Sequence, residues 1–359
     1  MEKKLRNAFL LLLRQGLWGK PEPTDGLFPL TPQEWNQLYA MAVKQTVQGI
    51  VYDGLSLLPP ALQPPRSFYI QWTVAIDTLE RMNRQQLELI QLFGQLFQAP
   101  NQKPIPFKVI KGQSVGCFYR NPLHRLCGDI DLYFVNEALT EEANRRMEEA
   151  GIPVERKLNG ESGYTLNGVE IEHHSHLIDL HYAKQELQAW EEQEFPQGGQ
   201  TLRPIATHLL LSTHILKHLI NEGIGLRQLC DVAMALVALH EQTDRHELAT
   251  LSRRWSIYKW NRLLYALLVK YLGLPQEYVP FPSRYNPDRL MDEIWASGNF
   301  GHGDERFGQR PEGKWRSKWH TWKIVSNKLH LSAVYAPRET WAWLWGLFKV
   351  RFAELFKKA

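Results

Sequence analysis

The sequence predicts an α+β fold in which a small mixed β-sheet is flanked by N-terminal and C-terminal helical regions. Apolar residues recur at helical spacing before residue 98 and again after residue 206, whereas residues 104–185 contain short apolar runs with strand alternation. These changes predict a helical region over 1–100, an α/β core over 101–190, and a helical domain with a tryptophan-rich tail over 191–359.

The N-terminal region contains a helix start at Thr31-Pro32-Gln33-Glu34. Thr31 and Glu34 have the spacing of a capping box, and proline fits the first helical position. A second helix is predicted over residues 68–97, where leucine, isoleucine and phenylalanine form an apolar stripe.

The core is predicted to have the order β-α-β-α-β-β. Asn167-Gly168 is typical of a two-residue hairpin turn, so two of the strands should pair directly. The predicted strands cover residues 107–110, 126–134, 164–166 and 169–172, and the predicted helices cover 114–119 and 140–151.

The C-terminal region is predicted to be helical over 207–221, 226–240 and 255–272. In the tail, Trp341, Trp345 and Phe348 share one helical face beside basic residues. A core or dimer contact is the favoured interpretation, and an acidic membrane surface or nucleic-acid stacking are the alternatives.

The composition limits the class of protein. The 359 residues have a net charge of +4 and a pI of about 8.8, which suits contact with phosphates but shows no long basic run. The three cysteines form no C-x-x-C pair, which argues against a disulfide framework or a zinc ribbon and fits a reducing compartment. The N-terminal apolar run is too short for a signal peptide, and no segment approaches the roughly 20 apolar residues of a membrane span. We therefore expect a cytoplasmic protein with no transmembrane segment.

Two carboxylates stand out in the predicted core. Asp129 and Asp131 are two apart on a strand, so they project from the same face. They repel each other unless a cation lies between them, and Mg²⁺ prefers such oxygen ligands. A third carboxylate from Val169-Glu170-Ile171-Glu172 would complete a site for two Mg²⁺ ions, with Glu172 and Glu170 both allowed by spacing.

Longer motifs surround these carboxylates. They are Lys111-Gly112, Tyr119-x-x-Pro122-x-x-Arg125-x-x-Gly128-Asp129-Ile130-Asp131, Gly223-Ile224-Gly225-Leu226-Arg227-Gln228-Leu229-Cys230-Asp231, and Gly298-Asn299-Phe300-Gly301. Together they resemble the uncharacterised nucleotidyltransferase family common in bacterial polysaccharide and peptide-biosynthesis gene neighbourhoods, in the superfamily that includes DNA polymerase β.

The resemblance implies a Mg²⁺-dependent nucleotidyltransferase core that moves NMP from an NTP such as ATP to a hydroxyl acceptor and releases pyrophosphate. It makes Asp129, Asp131 and Glu172 the catalytic and metal-binding residues. The nucleotide-binding residues that it implies are Lys111, Gly112, Gln113, Ser114, Arg125, Gly128 and Arg227.

The turn departs from the superfamily pattern. Gly-Ser or Gly-Gly is usual, whereas Gln113 follows Gly112 here and Ser114 comes one residue later. Backbone N–H groups at the turn could hold the triphosphate instead. Arg125 could clamp a phosphate or pair with Asp129 or Asp131.

Several alternatives remain open at this level. The acceptor could be a small molecule, a protein or an RNA, including a toxin-like reaction at tRNA 3′ ends, and a non-catalytic nucleotide-binding or scaffold protein is the rival class. The oligomeric state is not indicated. His214 and His218 have the spacing of a zinc pair, but a polar helix face is favoured because H-E-x-x-H is lacking. His173 or His174 could position the acceptor.

Overall fold

A computed structural model of the chain describes residues 2–24, 26–98, 103–157, 160–196, 201–299 and 329–356, together with 306, 313, 316 and 326; side chains are described only to residue 349. Phe300, Gly301 and the tail residues Trp315, Trp319 and Trp322 lie outside this description. The chain divides into two compact units, Met1–Leu177 with Ala189–Arg203, and Ile178–Gln188 with Pro204–Ala359.

The first unit contains a five-stranded mixed sheet. Its strands are β1 (Lys108–Ile110), β2 (Ile130–Tyr133), β3 (Glu155–Arg156), β4 (Ser162–Leu166) and β5 (Val169–His174). Their order in the sheet is β1-β2-β5-β4-β3. Among these strands, β2 and β5 pair in parallel and the other neighbours are antiparallel. This sheet among helices confirms the α+β fold class.

The β4–β5 hairpin forms where the Asn167-Gly168 dipeptide predicts it. Both turn residues have positive φ, 52° for Asn167 and 80° for Gly168, which a type I′ turn requires. The short edge strand β3 was not predicted, because its two residues are too few to show alternation.

One face of the sheet is covered by apolar side chains. Ile130, Leu132 and Phe134 alternate with Asp131 along the chain and pack with Ile171 into a core that includes Phe93 and Phe97 of helix α4 (Arg66–Phe97). Because side chains alternate along a strand, this packing directs Asp131 and Glu172 to the opposite face. The core therefore determines which face of the sheet carries the polar site.

Two helices of the first unit, α4 and α6 (Glu137–Glu149), contribute side chains to that apolar core. The predicted capping box at Thr31 and Glu34 is present, with both reciprocal hydrogen bonds formed. The helices are α1 (Glu2–Trp18), α2 (Pro32–Lys44), α3 (Gln48–Leu55), α4 (Arg66–Phe97), α5 (Gly112–Gly116) and α6 (Glu137–Glu149), and the chain returns to this unit within α7 (Lys184–Glu194).

The second unit is helical in its described part. Its helices are α8 (Pro204–Asn221), α9 (Leu226–Ala238), α10 (Arg245–Arg254), α11 (Tyr258–Leu272), α12 (Asp288–Ser297) and α13 (Pro337–Phe356), with a further helical stretch over 329–335. Among the helices described, none combines the length and apolar character needed to cross a membrane.

Some predicted boundaries were wrong. The strand predicted over 126–134 is confined to Ile130–Tyr133, so Asp129 lies just before the strand. The helix predicted from Ser114 begins at Gly112, directly after the turn. The helix predicted from Thr140 begins earlier, at Glu137. The reason is that the side-chain oxygen of Asn136 accepts a hydrogen bond from the N–H of Leu139 and so caps α6.

The tryptophan-rich helix α13 does not bury its predicted apolar face. Trp341, Trp345 and Phe348 are 71%, 59% and 56% exposed, so the interpretation of these three as core residues is wrong. Trp343, on another face, is buried and donates its indole N–H to Asn221. The dimer, membrane-surface and nucleic-acid interpretations stay predictions.

Candidate active site

The pairing of β2 with β5 creates the centre of the site. Asp131 lies opposite Glu172, and Tyr133 lies opposite His174, in a parallel register. The two predicted carboxylates are therefore neighbours on adjacent strands, although 41 positions separate them in the sequence (172 minus 131). Glu170 precedes this pair on the same face and is exposed, so the register favours Glu172 as the partner of Asp131.

Asp131 is the most buried carboxylate of the site, at 4% exposure. Its Oδ1 accepts from Lys111 Nζ at 2.9 Å and lies 2.7 Å from His174 Nε2. Burial opposes ionisation, but the Lys111 ammonium and His174 outweigh it and hold the pKa of Asp131 well below its usual value. Asp131 is therefore ionised, and within the described residues its other oxygen, Oδ2, has no hydrogen-bond donor.

Glu172 is half-buried and has two basic neighbours. Its Oε1 accepts from Lys157, and its Oε2 lies 3.5 Å from His174 Nε2. The carboxylate raises the pKa of Lys157, which stays charged. Glu172 is thus more accessible than Asp131.

Asp129 lies one residue before β2 and is half-buried. Burial and the nearby charge of Asp131 raise its pKa above the usual value, against the weaker opposing effect of Lys111. Within the part of the chain that the structure describes, its side chain forms no ion pair. A carboxylate in this situation gains from a cation, which fits a metal-binding role.

His174 completes a group of metal-ligating side chains with Asp131 and Glu172. One ligand atom from each lies within 4.8 Å of the others. The sequence interpretation considered His174 only for positioning an acceptor. The sequence did contain an indication that His174 lies beside the carboxylates, because Glu172 and His174 are two residues apart on one strand and must share a face.

His173 lies on the opposite face of β5. It is buried in the core, where Nδ1 lies 2.8 Å from Asn144 Oδ1 and Nε2 lies 3.2 Å from the Tyr164 hydroxyl. Burial lowers the pKa of His173 to about 3, so it is neutral. The alternative in which His173 positions an acceptor is therefore wrong.

The Lys111-Gly112 turn brings a lysine to these carboxylates. Lys111 has φ 56° and ψ −149°, a region that is almost restricted to glycine and costs of order 1–3 kcal/mol. Gly112 follows with φ 33°, and a Cβ there would lie 3.4 Å from the Asp129 carbonyl oxygen. The strained turn lies against Asp129 and directs the Lys111 ammonium to Asp131.

A family model for uncharacterised nucleotidyltransferases matches residues 31–273. The chain belongs to this family. No curated protein and no solved structure matches the chain. The match spans the sheet with its carboxylates and the helices from α2 to α11.

The Lys111-Gly112 turn is supported by two buried side-chain amides of α4, which the sequence analysis missed. Asn83 donates to the carbonyls of Leu123 and Arg125, and Gln86 donates to the carbonyl of Gly128 at 3.0 Å. The Gln113 amide in turn donates to the side-chain oxygens of Asn83 and Gln86. In the sequence, Asn83 and Gln86 are three residues apart and so share a face of the predicted helix, but nothing there indicates what their amides contact.

These contacts give local roles to several predicted nucleotide-binding residues. Gln113 faces α4, and the Ser114 hydroxyl donates to the Lys111 carbonyl at 2.7 Å. Arg125 is buried and donates to the Leu126 carbonyl and the Cys127 sulfur. In this arrangement the three side chains hold the turn and the segment before β2, and their contact with a nucleotide stays a prediction.

The remaining predicted residues belong to the second unit. Arg227 is half-buried at the start of α9. The rings of His214 and His218 lie 4.3 Å apart, and His218 Nδ1 is 3.1 Å from Glu222. Within the described residues neither histidine belongs to a group of three converging ligands, so the zinc alternative gains no support.

Proposed function

We propose that this nucleotidyltransferase moves a nucleoside monophosphate from an NTP to a hydroxyl acceptor. The observation that carries the proposal is the β2–β5 register, which pairs Asp131 with Glu172 beside Asp129. Family membership supports the reaction type. The acceptor oxygen forms a bond to the α-phosphorus, its proton is released to water, and pyrophosphate leaves with the electrons of the broken P–O bond.

The carboxylates fit divalent metal ions. Asp129, Asp131 and Glu172 would hold two Mg²⁺ ions, because each offers a hard oxygen ligand and Asp131 is held ionised. Such ions, when bound, neutralise phosphate charge and acidify the acceptor hydroxyl.

Lys111 is assigned to the triphosphate. Its ammonium lies 2.9 Å from Asp131 Oδ1, so a phosphate bound to a metal at the carboxylates would be within its reach. The ammonium is also partly exposed, which leaves it accessible to a ligand. The turn that carries it is held by Gln113 against Asn83 and Gln86. Such fixed positioning supplies much of the rate in phosphoryl transfer.

Glu172 is assigned to the acceptor side. It is more exposed than Asp131, and Lys157 fixes its carboxylate from the β3 side of the sheet. A residue in this role affects turnover more than nucleotide binding, since it acts on the attacking hydroxyl.

The test combines NTP binding with label transfer. Full-length protein is incubated with Mg²⁺ and each α-labelled NTP, and pyrophosphate release and label on protein, tRNA or small hydroxyl compounds are measured. We expect Glu172→Gln to lower turnover by about 10²-fold or more while nucleotide-dependent thermal stabilisation persists. Asp131→Asn should lose both.

Glu170→Gln is the matched control, because Glu170 shares the strand face but is exposed. It should retain turnover. A larger loss in Glu170→Gln than in Glu172→Gln would reverse the assignment, and unchanged label transfer in Asp131→Asn would refute the site.

A further inference from the structure

His174 is placed to do more than orient an acceptor. It ends β5, opposite Tyr133 of β2, and its ring is buried on the face that carries Asp131 and Glu172. The same nitrogen, Nε2, faces both carboxylates, at 2.7 Å from Asp131 Oδ1 and 3.5 Å from Glu172 Oε2.

These separations match those of ligands that share one ion. In an octahedral site with metal–ligand distances of about 2.1 Å, adjacent ligand atoms are about 3 Å apart. The nitrogen and the two oxygens therefore need only small shifts to surround a common cation. Sheet pairing fixes their backbones on adjacent strands, so the arrangement does not depend on a loop.

The other ring nitrogen also has a suitable neighbour. Nδ1 lies 3.8 Å from Glu161 Oε1, whereas Nε2 is the nitrogen beside Asp131. A metal-binding histidine uses an unprotonated nitrogen and commonly directs its remaining N–H to a carboxylate. With its proton on Nδ1, His174 would present the Nε2 lone pair to the ion and the N–H to Glu161.

We infer that His174 is a nitrogen ligand of the divalent metal site, together with Asp131 and Glu172, and that the site binds Mn²⁺ more tightly than Mg²⁺. The inference rests on the proposed function, which it deepens by naming a ligand and a metal preference. Mg²⁺ strongly favours all-oxygen surroundings, whereas an imidazole ligand favours the later first-row metals, and Mn²⁺ still accepts carboxylates.

The direct test measures nitrogen coordination rather than activity. Metal-free full-length protein is titrated with Mn²⁺ alone, bound and free Mn²⁺ are separated by their EPR signals, and the bound ion is examined by electron spin-echo modulation. We expect modulation from a directly bound ¹⁴N, replaced by the ¹⁵N pattern when the protein contains ¹⁵N-histidine. This comparison requires no substitution, so a folding defect cannot obscure it.

Variants then assign the nitrogen. His174→Gln should lose the histidine modulation and weaken Mn²⁺ binding by about 10–100-fold, with a smaller loss of Mg²⁺ affinity in competition. His214→Gln removes a histidine of the second unit and should retain the modulation. A circular dichroism spectrum in EDTA confirms that each variant is folded.

The outcomes separate the two proposals. Mn²⁺ that binds without nitrogen modulation overturns the role of His174 but leaves the carboxylate site intact. Modulation retained in folded His174→Gln also overturns it. If the protein binds NTP but neither Mn²⁺ nor Mg²⁺ under the same conditions, the metal site of the proposed function is refuted as well.

Discussion

Asp129 and Asp131 are two residues apart, yet neutralising them should change stability in opposite directions in metal-free buffer. Asp131 is buried and bound by Lys111 and His174, whereas Asp129 has a pKa raised by burial and by the charge of Asp131. Asp131→Asn should therefore destabilise the protein, and Asp129→Asn should stabilise it slightly because it removes a repulsive charge.

The magnitude for Asp131→Asn follows from its contacts. Removing one partner of a fully buried ion pair costs about 3–5 kcal/mol. Here the asparagine oxygen can still accept a hydrogen bond, and Lys111 is 17% exposed and can reach water. The loss should be closer to that of a hydrogen bond to a charged group, about 1.5–3 kcal/mol, which corresponds to a fall in Tm of roughly 3–12 °C.

The measurement is thermal unfolding of both single variants and the double variant in EDTA at neutral pH. Each variant serves as the control for the other, because the two substitutions are chemically identical and two residues apart. A similar fall in Tm for both variants would refute the reasoning, as would a rise for Asp131→Asn. The first result would show that Asp129 is not a repulsive charge, and the second that the contacts of Asp131 with Lys111 and His174 do not stabilise the protein.

Three other predictions concern the protonation of His124, zinc binding at His214 and RNA as an acceptor. Burial disfavours protonation of His124, but Asp53 and Glu80 outweigh it and raise the pKa of His124 above its usual value, so its stabilising effect should be full below pH ~6.5 and disappear as the pH rises through the folded-state pKa. The Tm difference between wild type and His124→Gln should shrink as the pH is raised above about 6.5; a constant difference would contradict this. His214→Ala should leave the zinc content of the purified protein unchanged by elemental analysis, and one zinc per chain that is lost in this variant would make α8 a metal site. With a net charge of only +4, RNA binding should be weak and salt-sensitive, and efficient labelling of tRNA 3′ ends at physiological salt would favour the toxin-like reaction instead.

Much of the local architecture could be predicted because its causes are local. The capping box at Thr31 and the Asn167-Gly168 hairpin depend on residues within a few positions of each other. The alternation of Asp129 and Asp131 with Ile130 likewise follows from strand geometry alone. Patterns of this kind also predicted that the carboxylates belong to the strand-containing region, 101–190, of an α+β fold.

The choice between Glu170 and Glu172 could not be made from spacing, because both share a strand face. Only the parallel β2–β5 register, in which Asp131 lies opposite Glu172, distinguishes them. A strand register depends on how the apolar faces pack, here Ile130 and Ile171 against α4, and not on either strand by itself.

The support of the site was also decided by tertiary structure. Asn83 and Gln86 lie more than 40 residues before the start of β2, and nothing local to them indicates that their amides hold the Lys111 turn and the segment before Asp129. By itself, the sequence determined the fold class, the hairpin and the carboxylate pair, because those follow from periodicity and turn chemistry over short distances. The partner of Asp131, the inward position of His174 and the strained orientation of Lys111 were decided by long-range packing, since burial of the apolar sheet face determines which polar groups meet on the other.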